Sequence, residues 1–207
     1  GENPKLIGQL IEVEPKAGFS EIIAKLTEDS RYPNDCHIRY QNGKRMVADW
    51  DEIDLSGIKP NIPWKDRGVY LITGGGGMLG LILAGEIAAL VKETTLILAG
   101  RSPLDAAKKA QLEKLRKTGA RIEYRQVDVA KMEEVAGLVR QIREDYGDLN
   151  GIIHGAGVIQ DNFIINKNNE ELEKVLAPKV SGLVNLDLAI KDLDLDFMII
   201  FSSVVGV

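Results

Sequence analysis

Cysteine is almost missing from this chain of 207 residues: Cys36 alone is present, so no internal disulfide framework can form and a disulfide-stapled secreted scaffold is excluded. A lone thiol fits a reducing cytoplasm, the expected location, and no function attaches to it. Basic excess is missing too. The chain carries 26 Lys and Arg against 31 Asp and Glu, a net charge of -5, which leaves no field to hold nucleic acid or an anionic membrane surface. No apolar stretch reaches the roughly 20 residues of a membrane span, and the N-terminal GENPKL lacks the charged and apolar regions of a signal peptide. Internal repeats and low-complexity segments are absent, and no metal is expected. What remains is an ordinary globular composition, 44% apolar and 28% charged, long enough for one domain plus an appendage. The chain opens on Gly1 rather than methionine and stops after an apolar run, and it reads as an excised piece of something longer.

Glycine, by contrast, is concentrated where it matters. Val69 to Gly80 reads VYLITGGGGMLG, an apolar β-branched run that meets a glycine cluster and passes directly into a helical pattern. Only residues without a Cβ let the backbone turn tightly and bring its amides against a pyrophosphate, and Gly75, Gly77 and Gly80 supply the G-x-G-x-x-G spacing. Strand before and helix after is the context that a dinucleotide site requires. A flexible glycine loop is the competing reading.

From Val69 onward, strand and helix patterns alternate, which predicts a parallel sheet covered on both faces. Five strands are expected: Val69–Thr73, Thr95–Ala99, Arg121–Val127, Leu149–His154 and Asp196–Ser202, mostly rich in Val, Ile and Leu as buried strands are. After the second strand, Ser102, Pro103 and Asp105 are read as N-cap, first-turn and N3 residues of a helix that ends at Gly119. Val135, Leu138, Val139, Ile142 and Tyr146 recur on one helical face, closed by Gly147. The expected class is α/β, a Rossmann-type doubly wound parallel sheet over residues 67–207. A small N-terminal α+β appendage and linker over residues 1–66 precede it. Within the appendage, apolar runs at Leu6–Val13, a short helix over Phe19–Leu26 and a hairpin of His37–Gln41 with Lys44–Ala48 are expected. The hairpin turns on Asn42-Gly43, residues that tolerate positive φ, and Asn61, Pro63 and Trp64 mark the linker.

Cofactor choice should be written at the end of the second strand, where an acidic residue would hold the ribose hydroxyls of NAD. None is there. Arg101 lies 21 positions after Gly80, about where the acid is expected, with Ser102 beside it. The guanidinium fork suits a ribose 2′-phosphate, and a charge-assisted pair of this kind contributes about 1.5 to 3 kcal/mol. NADP(H) is therefore expected over NAD(H), against the reading of Arg101 as a solvated surface residue.

At this point six motifs in order resemble the ketoreductase domains of modular polyketide synthases, in the short-chain dehydrogenase/reductase superfamily. They are TGGGGMLG from Thr73, LAGRS from Leu98, VDVA from Val127, IIHGAGV from Ile152, LAPKVSG from Leu176 and FSS from Phe201. The resemblance is strong over Val69–Val207, looser over His37–Lys65, where RYQNGKR and PWK look like the end of the family's structural subdomain, and weak over residues 1–36. It implies cofactor contacts from Thr73, Gly74, Gly75, Gly77, Met78, Leu79 and Gly80, from Arg101 and Ser102, from Asp128 (to the adenine amino group) with Val129, and from Gly155, Ala156 and Gly157. It also implies that Ser203 hydrogen-bonds the substrate carbonyl and that Lys179 lowers the pKa of a tyrosine proton donor. That tyrosine and a following asparagine are expected beyond Val207; Tyr40, Tyr70, Tyr124 and Tyr146 do not sit in their context, and the chain alone is expected to be inactive. His154 is read as a packed or capping residue rather than a base. Asp161 matches the last residue of an aspartate-bearing loop motif, which implies a B-type product with a D-configured β-hydroxyl. The implied activity is NADPH-dependent reduction of a β-ketoacyl thioester carried on the phosphopantetheine of an acyl carrier protein. The partners are that carrier and other domains of one megasynthase. A non-catalytic reductase-like scaffold and a free-standing reductase of small ketones are the alternatives.

Overall fold

Apolar runs bracketed by glycine and asparagine dictate most of the elements in the computed structural model, which describes residues 6–59, 61–161 and 163–203. The chain divides into two compact units, Gly1–Lys59 and Pro60–Val207.

In the first unit, β1 (Leu10–Glu12), α1 (Phe19–Asp29), β2 (His37–Gln41) and β3 (Lys44–Val47) form a three-stranded sheet ordered β1-β2-β3 with one helix. β2 and β3 pair antiparallel through a turn in which Asn42 (φ 53) and Gly43 (φ 72) both take positive φ, as the dipeptide predicts. The helix is tied to this hairpin by a buried carboxylate. Asp29 accepts from Arg45 Nε at 2.8 Å and from the Tyr40 hydroxyl at 3.1 Å. Burial, with Asp29 alongside, pushes the Tyr40 hydroxyl up to about 12, so it stays a donor.

The second unit holds β4 (Val69–Thr73), α2 (Met78–Leu90), β5 (Thr95–Gly100), α3 (Ala106–Arg116), β6 (Arg121–Gln126), α4 (Met132–Tyr146), β7 (Gly151–His154), α5 (Asn169–Lys179), α6 (Ser181–Ala189) and β8 (Phe197–Ile200). All five strands run parallel in the order β6-β5-β4-β7-β8. The chain thus winds outward from β4 on one side, then returns to wind outward on the other. The order reverses between β4 and β7, and in such sheets ligands sit at the carboxyl ends of the two strands flanking that reversal. β4 is buried along its whole length because helices cover both faces. One core layer joins Leu71, Ile97 and Ile152 to Val135, Leu138 and Ile142 of α4 and Leu186 of α6. The other joins Tyr70, Ile72 and Leu98 to Ala84 and Ile87 of α2 and Leu112 of α3.

Beyond β6 and β8, which are shorter than the expected Arg121–Val127 and Asp196–Ser202, three local expectations are corrected. Asp105, not Ser102, is the N-cap of α3: its carboxylate accepts from the Lys108 amide at 2.8 Å, so Ser102 and Pro103 belong to the preceding turn. β7 begins at Gly151 because Asn150 is engaged beside β4, where its side chain accepts from the Val69 amide at 2.9 Å. Trp64, read as linker, packs edge-on against Tyr70 and Phe197, with ring centroids at 6.0 and 5.1 Å. The register explains this. Tyr70, Gly151 and Phe197 lie in one row across β4, β7 and β8, and the missing side chain of Gly151 lets the two outer rings stack at 5.7 Å. A Cβ on Gly151 would stand 2.3 Å from the Phe197 ring. Trp64→Ala is expected to destabilise the second unit by about 2 to 3 kcal/mol in urea unfolding, through lost aromatic burial; a loss under about 0.5 kcal/mol would show that the cluster is dispensable.

Candidate functional site

The turn from β4 into α2 is built so that no side chain stands between backbone and solvent. Gly74 takes φ +69 and lies so close to the turn after β7 that a Cβ there would be 2.5 Å from the Gly155 carbonyl oxygen. A Cβ on Gly75 would be 2.7 Å from Cβ of Leu98 on β5, and one on Gly80 would be 2.6 Å from Cα of Gly75. The turn is further pinned by Gly75 N–H donating to Ala99 O at 3.0 Å and Gly77 N–H to Gly74 O at 2.9 Å. Gly77 is the N-cap of α2 and provides no side-chain cap, and the first helical bond is Leu81 N–H to Gly77 O. The amides of Met78, Leu79 and Gly80 are therefore the helix's uncapped donors, at its positive dipole end, while the Met78 and Leu79 side chains are exposed. This is the arrangement that binds a phosphate.

Around that turn lies a cleft of about 310 Å³ at the reversal between β4 and β7. It gathers Gly74, Gly77, Arg101, Ser102, Asp128, Val129, Gly155, Ala156 and Gly157 from four different strand ends, all of them residues singled out from sequence. Arg101 is exposed at its rim and, among the described residues, has no hydrogen-bond or ion-pair partner. Lys108 also reaches the cleft, but its ammonium lies 3.8 Å from the Asp105 carboxylate. Asp128 is fixed through both main chain and side chain: its amide donates to Glu134 Oε2 at 2.8 Å, and its Oδ1 accepts from the Ala130 amide at 3.1 Å. That backbone bond, together with Lys131, holds the Glu134 carboxyl below its ordinary range.

Thr73, Gly75 and Gly80 support the cleft without lining it. Thr73 is buried, and its hydroxyl meets His154 Nδ1 at 2.7 Å. His154 Nε2 lies 3.0 Å from the Pro178 carbonyl, which can only accept, so Nε2 carries the proton and Nδ1 accepts from Thr73. His154 is thus a packed, neutral residue, as read from sequence. Burial pushes its pKa down from 6.5 against the opposing effect of the Pro178 carbonyl. Behind the ring, α6 comes close because Gly182 lacks a side chain: a Cβ there would stand 2.8 Å from Val129 Cγ2 and 3.5 Å from His154 Cε1.

Lys179 ends α5 and is exposed; its Cε is 3.9 Å from where a Cβ of Gly157 would be, at the edge of the cleft. Ser203 follows β8, two residues past Phe201, whose amide donates to His154 O at 3.0 Å and whose ring packs on Gly155. Asp161 is exposed, outside the residues that line the cleft. Tyrosines elsewhere have structural tasks: the Tyr70 hydroxyl accepts from the Lys65 amide at 2.8 Å, Tyr146 donates to Glu123 at 2.5 Å, and Tyr124 donates to the Ser102 carbonyl at 2.5 Å. Sequence reasoning missed Gly76, Leu104 and Tyr124 of the cleft wall, along with Glu134 and Gly182. Only the proline in LAPKVSG gave a local signal for the Pro178 contact.

Residues 68–207 match the family model described as the KR domain. The chain belongs to the KR domain family. This KR domain sequence is 52% identical over 205 residues to polyketide synthase PksL of Bacillus subtilis (strain 168), a match covering 99% of this chain and 4% of that protein. It is similar to the crystal structure of a ketoreductase domain from the bacillaene assembly line, at 50% identity and a TM-score of 0.87, over 98% of this chain and 48% of that one. It is also similar to NAD+-bound xylitol dehydrogenase, at 26% identity and a TM-score of 0.52, over 61% of this chain and 48% of that one. The chain therefore spans about half the length of the bacillaene ketoreductase structure and a small fraction of the synthase it matches. The KR family membership, the parallel sheet and the glycine turn agree with one another.

The neutral state of His154 makes stability depend on pH with a definite sign. Its folded pKa lies below 6.5, so the unfolded chain takes up the proton first; stability is full above pH 6.5 and declines as pH falls from 6.5 toward the folded value. His154→Gln is expected to flatten the fall in unfolding midpoint between about pH 7.5 and about pH 5.5 relative to the parent chain. Equal slopes for the two would overturn the assignment.

Proposed function

We propose that this chain supplies the cofactor cleft of an NADPH-dependent ketoreductase in a polyketide synthase, acting on a β-ketoacyl thioester tethered to an acyl carrier protein. One observation carries the reading: an uncapped helix N-terminus reached through a turn with no room for Cβ, beside an arginine that has no partner among the described residues. The donors of Met78, Leu79 and Gly80 would hold the diphosphate, Arg101 and Ser102 the ribose 2′-phosphate, and Asp128 with Val129 the adenine amino group. Gly155, Ala156 and Gly157, without bulk, would leave space for the nicotinamide ribose. A cleft of about 310 Å³ with one arginine at its rim and one carboxylate inside fits such a polyanion with an amine-bearing base. NADPH, when bound, supplies the hydride for carbonyl reduction. This chain's own part is to orient and to polarise. Ser203 would donate its hydroxyl proton in a hydrogen bond to the carbonyl oxygen. The Lys179 ammonium, at the Gly157 edge, would stabilise the negative charge that develops there and favour proton delivery from a tyrosine. Asp161 would bias the face presented, giving a D-configured β-hydroxyl, which a product-chirality assay on the parent synthase would read. Among the described residues no helix is long and apolar enough to cross a membrane.

Two measurements test the reading. Arg101→Glu is expected to weaken NADPH binding by about tenfold or more in a fluorescence titration while leaving NADH little changed; equal losses would refute the assignment. In the parent synthase, a β-keto thioester should drive NADPH oxidation, and Lys179→Ala should lower that rate by about 10²-fold or more. Absence of oxidation by the parent protein would favour a non-catalytic role.

A further inference from the structure

The turn that carries Arg101 is held by remarkably little main-chain bonding, and what holds it comes from a distant strand. Residues 101–104 connect β5 to the Asp105 cap of α3 and, among the described residues, form no backbone–backbone hydrogen bond. Their single hydrogen bond is made by Tyr124 of β6, whose hydroxyl donates to the Ser102 carbonyl at 2.5 Å across 22 positions of sequence. The ring is seated by two glycines: a Cβ on Gly100 would stand 2.6 Å from its hydroxyl oxygen, and one on Gly76 would stand 3.2 Å from its ring. It also packs into the core layer under α2 and α3. The ring is therefore enclosed by close neighbours, and burial holds its pKa above the ordinary value, so the hydroxyl remains a donor. Lys108, the other cation at the cleft, lies near Asp105, and it stands on α3 rather than on this turn.

We propose that Tyr124 is a specificity-determining positioning residue: by anchoring the Ser102 carbonyl it holds the Arg101 guanidinium at the cleft, and so sets the preference for a 2′-phosphorylated over an unphosphorylated nicotinamide dinucleotide. The inference rests on the reading of the cleft as an NADPH site. A guanidinium on an untethered four-residue turn must be ordered at the moment of binding, and that cost falls only on the ligand that uses it. NADPH should feel the loss of the tether and NADH should not.

The experiment is a fluorescence titration of this chain and its Tyr124→Phe variant with NADPH and with NADH, alongside thermal unfolding of both. Removing one oxygen keeps the ring, so the variant is expected to keep its fold, to bind NADPH about five- to tenfold more weakly, and to bind NADH within about twofold of the parent. The same substitution made on an Arg101→Ala background is expected to have no further effect on NADPH, since the two residues act through one interaction. That double variant separates a tether from general loosening. A parental preference for NADPH that survives Tyr124→Phe unchanged, an equal loss for both dinucleotides, or a full loss on the Arg101→Ala background would each overturn the proposal and leave the cleft reading standing. Failure of the parent chain to bind either dinucleotide would instead overturn the cleft reading, and the tether with it.

Discussion

The close approach of two strand-end turns is the constraint on which the second unit is organised. The turn after β4 and the turn after β7 touch at Gly74 and Gly155, where not even a methyl group would fit, and Gly155 N–H donates back to Thr73 O at 3.1 Å. The Thr73–His154 hydrogen bond lies beneath that contact and is buried. Backbone can approach backbone this closely only if the polar groups brought inside are paired, because an unpaired buried donor or acceptor costs about 1 to 3 kcal/mol. A single imidazole tautomer satisfies Thr73, Pro178 and itself, and its carbonyl takes the Phe201 amide as well. One residue thus joins the ends of β4 and α5 through its neutral side chain and the end of β8 through its main chain, and the cleft opens above that joint.

Charge around the cleft follows a similar economy. The chain is acidic overall, yet the groups at the cleft include an arginine with no partner among the described residues and a lysine within reach of only one carboxylate. Some other arginines of the second unit are engaged, Arg116 with Glu113 and Arg125 with Glu123 and Asp145, while Arg140 and Arg143, without side-chain partners among the described residues, lie outside the cleft. A guanidinium without a partner beside uncapped helix amides makes a local positive field inside a negative molecule, and such a field selects anions of matching shape. The glycine turn is common to many dinucleotide sites, so discrimination among them falls to the end of β5.

Much of this was legible in the chain, and the reasons differ from element to element. β4 has the expected bounds because its apolar run is bracketed by Gly68 and Gly74 and buried on both faces, leaving no alternation to misread. α4 is as expected because its apolar face repeats through four turns and Gly147 adopts φ +85 at its end. The sequence pattern of Ser102, Pro103 and Asp105 places the cap of α3 at Ser102, three residues too early. Asp105 takes the cap by accepting from the Lys108 amide, while the Ser102 carbonyl accepts from the Tyr124 hydroxyl, a contact from another strand that no local pattern reports. The glycine spacing marked the loop correctly, but Gly75, Gly77 and Gly80 are not equal. Gly75 and Gly80 are crowded by backbone or Leu98, while a Cβ on Gly77 would meet only Gly74 O at 3.1 Å, and the positive φ falls on Gly74. Trp64 was misread for the same reason as α3: its partners, Tyr70 and Phe197, become neighbours only once Gly151 clears the row between them.

The proline in α5 shows how a local defect becomes a positional device. Pro178 has no amide hydrogen, so the carbonyl of Lys174 loses its helical donor, and α5 closes with Val180 N–H donating to Leu176 O at 2.7 Å. In an unbroken helix the Pro178 carbonyl would accept from Gly182; here it points to His154 instead, and α6 restarts with Val184 N–H donating to Val180 O. The restart is crowded at Gly182, where a Cβ would stand 2.8 Å from Val129 Cγ2 and in contact with the imidazole at 3.5 Å. Lys179 lies between the anchored carbonyl and the restarted helix, so its backbone is fixed on both sides while its long side chain remains exposed along Gly157. The backbone just before Lys179 is thus anchored, through the Pro178 carbonyl, to the same buried histidine that lies beneath the two glycine turns.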